Sequence, residues 1–255
     1  ILNHKAHLVF TNRESPKIKF IKPSYQKWNS GFKFAISSVN NKKFRKNNFK
    51  NENGKIRILF HSGGTENFES FEKFIFFTFK YFNNRKKVDI CVLSLSKKTK
   101  IFFKYLSKKY KINHKINFIS YKKNLSDSLR KFTIICGPLG TTTFETIISN
   151  SFPVTFLNNS YVQDPFSSWL KNGHLMNLDK FEIKKEKVVL GTWDLIFKNF
   201  YKLKKILQLN SKNLDGKANL RITNEIINLD NSKKVFSKEN LKQNKFEIKL
   251  CKLSD

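Results

Sequence analysis

The stretch "GPLGTTTFE", residues 137–145, gathers residue types that can hold an anion and a sugar. Gly137 and Gly140 let backbone approach a ligand closely, and Thr141, Thr142 and Thr143 offer hydroxyls and N–H groups at a predicted helix start. The positive end of a helix suits a phosphate or diphosphate. Glu145 follows one turn later, where a carboxylate can accept from the two vicinal hydroxyls of a ribose. A simpler reading competes. Thr142 and Glu145 also match the capping box S/T-x-x-E, in which hydroxyl and carboxylate satisfy the first N–H groups of the helix. That reading leaves Gly140 and the other two threonines unexplained.

A second glycine turn, "HSGGTE" (61–66), follows an apolar run. Gly63, Gly64 and Thr65 could cradle an anion, or the glycines could simply make a tight turn. Further on, "NNSYVQDPFSSWLKNGH" (158–174) puts Gln163 and Asp164 at a helix start. Gln163 could reach sugar hydroxyls or be solvated beside an Asp164 cap, with Pro165 in the first turn. Neither glycine turn is a GxxxxGK[ST] loop, and no GxGxxG string occurs. No His or Cys spacing suggests a metal site, so neither metal nor cofactor is expected.

The surrounding pattern positions these turns. Apolar runs at 55–61, 88–95, 115–120, 132–137, 153–157 and 174–178 read as strands. Helical spacing falls at 68–82, 97–110, 124–131, 142–150 and 162–172, then at 192–209 and 214–229. Continuous apolar strands alternating with helices predict a doubly wound, Rossmann-like parallel α/β sheet covered on both faces. In such a sheet ligands bind outside the carboxyl ends of the strands, where both glycine turns lie. Residues 1–30 hold strand-like pieces ("HLVF", "KIKFI") without a complete βαβ unit, and 37–54 are Lys/Asn-rich and linker-like.

The net charge of +31 admits a polyanionic partner such as nucleic acid. However, Phe, Lys, Asn and Ile are abundant and alanine is scarce, as AT-rich codons would produce, and the lysines spread along the whole chain. No specific nucleic-acid partner is therefore expected, although nucleotides and membrane surfaces would be attracted. No run reaches the roughly 20 apolar residues of a membrane span, so a soluble, cytoplasmic protein is expected. Cys91 and Cys136 sit within apolar runs and read as buried thiols of a reducing compartment.

Taken in order, "RILFHSGGTE", "GPLGTTTFETIISNSFPVTFL", "VQDPFSSWLKNGH" and "LDGKANLRITNEI" resemble the carboxyl-terminal half of the UDP-sugar hydrolases of pseudaminic acid biosynthesis. That family is related in fold to the GT-B glycosyltransferase that makes lipid II, and the match covers roughly residues 30–228. The resemblance implies the carboxyl-terminal domain of a GT-B-type two-domain protein. It also implies a UDP-sugar as ligand and a role in surface-glycan, nonulosonic acid biosynthesis. By resemblance Gly63, Gly64 and Thr65 line the interdomain cleft, Gly140 to Thr143 face the diphosphate, and Gly137 is a further candidate binding residue. Glu145 holds the ribose, the uracil lies near Ile119 to Tyr121, and Gln163 faces the sugar. The family's reaction is attack of water at the anomeric carbon with UDP leaving; a GT-B transferase uses an acceptor hydroxyl instead. The family's Gly-x-Gly-His motif is absent from this chain, and Val162 stands where an Asn normally precedes the Gln. The implied organisation is a truncated amino-terminal domain at 1–36, a linker at 37–54 and a nucleotide-sugar-binding domain at 55–229. The segment 230–255 would be a linker followed by another domain, since "FEIKLCKLSD" resembles the opening strand of a GNAT acetyltransferase as much as an ordinary terminal strand. On this pattern the chain should bind a UDP-sugar and catalyse little by itself.

Overall fold

A computed structural model of the chain describes residues 8–11, 27–30, 33, 35, 55–63, 67–83, 88–94, 96–112, 114–120, 128–156, 176–178, 182–210 and 214–236. The apolar runs become β3 (Ile56–Phe60), β4 (Val88–Leu93), β5 (Ile116–Ile119), β6 (Ile134–Pro138), β7 (Phe152–Phe156) and β8 (Met176–Leu178). Together they form one six-stranded parallel sheet in the order β5-β4-β3-β6-β7-β8. A separate parallel pair joins β1 (Leu8–Thr11) and β2 (Lys27–Ser30). The expected doubly wound, Rossmann-like architecture is thus the one observed. "HLVF" falls at β1, whereas "KIKFI" and the helix expected at 162–172 lie outside the described residues; of the helix expected at 124–131 only 128–131 are described, with 128 and 129 helical.

Strand alternation divides the core. Ile58, Phe60, Ile90, Val92, Ile134 and Cys136 face the larger cluster, while Leu59, Cys91, Leu93 and Ile135 face a smaller one with Leu129 and Phe132. Because the chain has 27 Phe and very few alanines, the larger core is filled by rings rather than small aliphatics. Phe71 and Phe156 stand 4.5 Å apart between centroids, and Phe103 meets Phe68 edge-on at 5.1 Å. Both described thiols are buried, and burial raises their pKa values.

The helices are α1 (Glu72–Phe82), α2 (Lys97–Lys109), α3 (Thr141–Ile148), α4 (Glu186–Asn210) and α5 (Ala218–Phe236). A short 3-10 turn, Glu69–Phe71, leads into α1. Ser96 starts α2 by accepting the Thr99 N–H at 3.1 Å. Asn150, at φ 62°, ends α3 while the Ser151 N–H returns to the Thr146 carbonyl. The helix expected at 192–209 begins earlier, at Glu186, and runs through Gly191. Burial of Val189, Trp193, Ile196 and Phe200 on one stripe outweighs the roughly 1 kcal/mol that a helical glycine costs. The helix expected at 214–229 instead spans Ala218–Phe236.

Two polar links fasten the helical layer. Trp193, fully buried between α1 and α4, donates its indole N–H to Thr78 Oγ1 at 3.0 Å. Arg221 of the "LDGKANLR" string forks onto Asp215 and also donates to the Lys33 carbonyl at 3.1 Å. Burial would raise the Asp215 carboxyl, but the bonds from Arg221 and the Lys217 N–H outweigh it and hold the group lower than usual. Thr78→Val should leave the buried indole N–H without a partner and cost about 1–3 kcal/mol in denaturant unfolding. Thr78→Ser should lose much less of that stability, since it keeps the acceptor.

Candidate functional site

The order β5-β4-β3-β6-β7-β8 contains one reversal. The chain moves outward from β3 through β4 to β5, then returns to lay β6 against the free side of β3. The crevice of a doubly wound sheet opens at this switch point, beyond the carboxyl ends of the strands. The two glycine turns leave β3 and β6 there, so sheet pairing brings together segments about 75 residues apart in sequence. Gly63 is exposed at φ 71°, and a Cβ built on it would meet Pro138 Cγ at 3.4 Å.

His61 joins the turns. Its backbone N–H donates to the Cys136 carbonyl at 2.9 Å, extending the β3–β6 ladder by one bond. Its Nδ1 accepts the Gly63 N–H at 3.2 Å, which assigns the proton of the neutral ring to Nε2. The ring lies on Gly137 so closely that a Cβ there would fall 2.2 Å from Nε2. Only glycine fits at residue 137, because the imidazole occupies the space. His61 is buried, and burial lowers its pKa from 6.5 to about 4.

Beyond Gly137 the chain enters α3, and the capping geometry corrects the sequence expectation. Gly140, not Thr142, is the N-cap. Its N–H donates to Thr143 Oγ1 at 3.3 Å, while the Thr143 N–H returns to the Gly140 carbonyl at 2.9 Å. Thr142 lies inside the helix, and its carbonyl accepts the Thr146 hydroxyl at 2.7 Å. Thr142 and Glu145 therefore form no capping box. The reason is the helix start: the N-cap lies two residues before Thr142, so Thr143 takes the third helical position and Glu145 falls beyond it. Thr141 is exposed, Thr142 half-buried, and Thr143 and Glu145 are buried. The space where a Gly140 side chain would stand is open.

Ile119 ends β5 at the sheet edge, three strand spacings or about 14 Å from β6. Gly64, Thr65, Tyr121, Gln163, Asp164 and Val162 lie outside the described residues. His61 was the residue that motif reading missed. Its signal was positional, a histidine at a strand end directly before a glycine turn. One cavity, about 210 Å³, is lined by Phe76, Phe79, Lys80, Asn83, Tyr110 and Ile112. It sits where α1 and α2 end, at the opposite end of the strands from the glycine turns, and reads as a gap in packing. Among the described residues no group of His, Cys, Asp and Glu is arranged to hold a metal, and no helix is long and apolar enough to cross a membrane.

No family model and no curated protein matches the sequence. The fold does match solved structures. S. aureus MnaA in a co-structure with UDP is 16% identical with a TM-score of 0.50, over 68% of this chain and 45% of that one. Neisseria meningitidis UDP-GlcNAc 2-epimerase bound to UDP-GlcNAc is 11% identical with a TM-score of 0.50, over 68% and 44%. A further UDP-N-acetylglucosamine 2-epimerase is 12% identical at 0.50, over 76% and 46%. The chain spans less than half the length of these proteins. At these identities the likeness is one of fold: a Rossmann-like α/β domain shared with enzymes of UDP-sugars.

Two outcomes follow from the His61 contacts. Gly137→Ala should displace the ring and cost about 1–3 kcal/mol of stability, read from the denaturant midpoint. The folded pKa of His61 lies below the unfolded value, so the unfolded chain binds the extra proton between them. The neutral-ring contribution is therefore complete above pH 6.5 and is lost as pH falls toward 4, by about 3 kcal/mol. In His61→Asn the fall in stability between pH 7 and pH 4 should shrink by that amount.

Proposed function

We propose that this domain binds the nucleoside diphosphate of a UDP-sugar in the β3–β6 crevice and serves UDP-sugar processing in surface-glycan biosynthesis. The observation that carries the reading is the meeting of two glycine turns and the α3 amino terminus at the switch point of the sheet. Backbone N–H groups and a helix dipole aimed at one spot stabilise a diphosphate without a metal, both in the bound state and as charge develops on a leaving group. In this reading Gly63, Gly64, Thr65 and Gly137 bound the crevice. Gly140, Thr141, Thr142 and Thr143 hold the diphosphate and Glu145 the ribose. Ile119 and Tyr121 border the uracil and Gln163 faces the sugar. The matched solved structures, named for UDP and UDP-GlcNAc, support the ligand class.

The reaction we infer is hydrolysis at the anomeric carbon with UDP leaving, as the pseudaminic acid resemblance implies. Transfer to an acceptor hydroxyl makes the same demand on the diphosphate site. A binding role without turnover is favoured by Val162. Calorimetric titration with UDP and with ADP, at salt high enough to screen the general field, tests the ligand. Tighter binding of UDP supports a uridine pocket; equal, weak binding of both would sink it.

Glu145→Ala should weaken UDP binding by about 1.5–3 kcal/mol if the carboxylate holds the ribose. Unchanged affinity in that variant would remove Glu145 from the site. Gly140→Ser places a good N-cap residue in open space. It should keep or raise stability yet lower UDP affinity, because the new side chain stands where the diphosphate is proposed to approach.

A further inference from the structure

The helix α2, "KKTKIFFKYLSKK", contains six lysines and no acidic residue. Thr99, Phe103 and Leu106 turn inward and anchor it on the sheet. Its exposed residues are the six lysines, Ile101 and Tyr105. Ile101 and Tyr105 are 66% and 52% exposed, and their four-residue spacing sets them side by side on one face. At 100° per residue, Lys97, Lys104 and Lys108 flank that pair on one side and Lys98 and Lys109 on the other. Lys109 pairs with Glu72 at 2.8 Å, and Lys98 comes within 4.0 Å of Glu69. Among the described residues no ion pair reaches Lys97, Lys100, Lys104 or Lys108.

This pattern is not the general basicity of the chain. The exposed residues of α4 also include lysines beside Leu195, Tyr201 and Leu209, but the acidic Asp194 and the uncharged Gly191 and Gln208 interrupt them. Those of α2 are wholly cationic or apolar along about 20 Å of helix.

We propose that the outward face of α2 docks the protein on an anionic lipid membrane. The lysines meet acidic headgroups, each membrane-facing lysine contributing to adsorption, while Ile101 and Tyr105 enter the interfacial layer. An aliphatic side chain at the centre of the face gains from an acyl boundary and gains nothing from a phosphodiester backbone. Tyrosine is a residue of the membrane interface. Lys109 Nζ lies 5.2 Å from the Tyr105 centroid, over a face of the ring that a nucleic-acid base would need for stacking. The helix leads from β4 to the edge strand β5, so docking there leaves the β3–β6 crevice uncovered. The inference stands on this helix and does not depend on the nucleotide-sugar reading.

Flotation of the full chain with phosphatidylcholine vesicles, with and without phosphatidylglycerol, tests it. Binding should require phosphatidylglycerol. The triple variant Lys97→Gln, Lys104→Gln, Lys108→Gln should bind about a hundredfold more weakly. Ile101→Ser, with charge unchanged, should weaken binding by about tenfold. The matched triple variant on α4, Lys198→Gln, Lys202→Gln, Lys205→Gln, should retain most of the binding. Equal losses from the two triple variants would show a general charge effect and overturn the proposal. So would unchanged vesicle binding by Ile101→Ser. Preference for single-stranded DNA over the acidic vesicles, lost in the α2 triple variant, would reassign the face to nucleic acid.

Discussion

The pairing of β3 with β6 is the constraint on which the candidate site depends. These strands are far apart in sequence, and α1, β4, α2 and β5 lie between them before the chain returns. Once they pair, the register fixes which turn residues face each other, and His61 closes the contact. Its main chain extends the ladder, its ring fills the space above Gly137, and its Nδ1 holds the Gly63 N–H. A small change at any of these three residues would alter the relative placement of both glycine turns. A neutral imidazole suits that position because its Nδ1 can accept the Gly63 N–H and its ring packs in a buried space; a charged ring has no nitrogen lone pair to accept with and would add a desolvation cost.

The interior that supports this seam is unusual in its materials. With few alanines and many phenylalanines, close packing is achieved by edge-on and tilted ring contacts across the larger face of the sheet. Large rings leave little room for polar groups, and the indole N–H of Trp193 among them is paired with Thr78. The smaller cluster on the other face is partly roofed by Leu129 and Phe132, and Ser151 Oγ donates to both of their carbonyls. Arg57 supports the same corner, its guanidinium 4.9 Å from the Phe132 centroid and bonded to the Lys131 carbonyl.

Charge and chemistry are separated on this scaffold. Most of the described lysines lie exposed on helix faces. The candidate crevice at the switch point is bordered instead by Gly63, the Gly140–Thr143 turn and the neutral His61. An anion there would be held by fixed dipoles rather than by ammonium groups, which gives direction as well as attraction. General basicity can draw an anion toward the surface but cannot select a uridine over another nucleotide.

The sequence by itself determined the strands and helices that surround the site, because period and apolar run length report local burial directly. It also marked the two glycine turns, since Gly-Gly and Gly-x-x-Gly after an apolar run advertise tight backbone. It could not assign the helix boundaries at Gly140 and Glu186. The first depends on which N–H the Thr143 hydroxyl accepts, and the second on a buried stripe that carries the helix through Gly191. The role of His61 was equally illegible, as nothing near it in sequence reveals Gly137 as its neighbour. Only the tertiary structure decided that the two turns share one crevice. Strand order is set by which faces bury together across long stretches of chain, and no local pattern encodes that pairing.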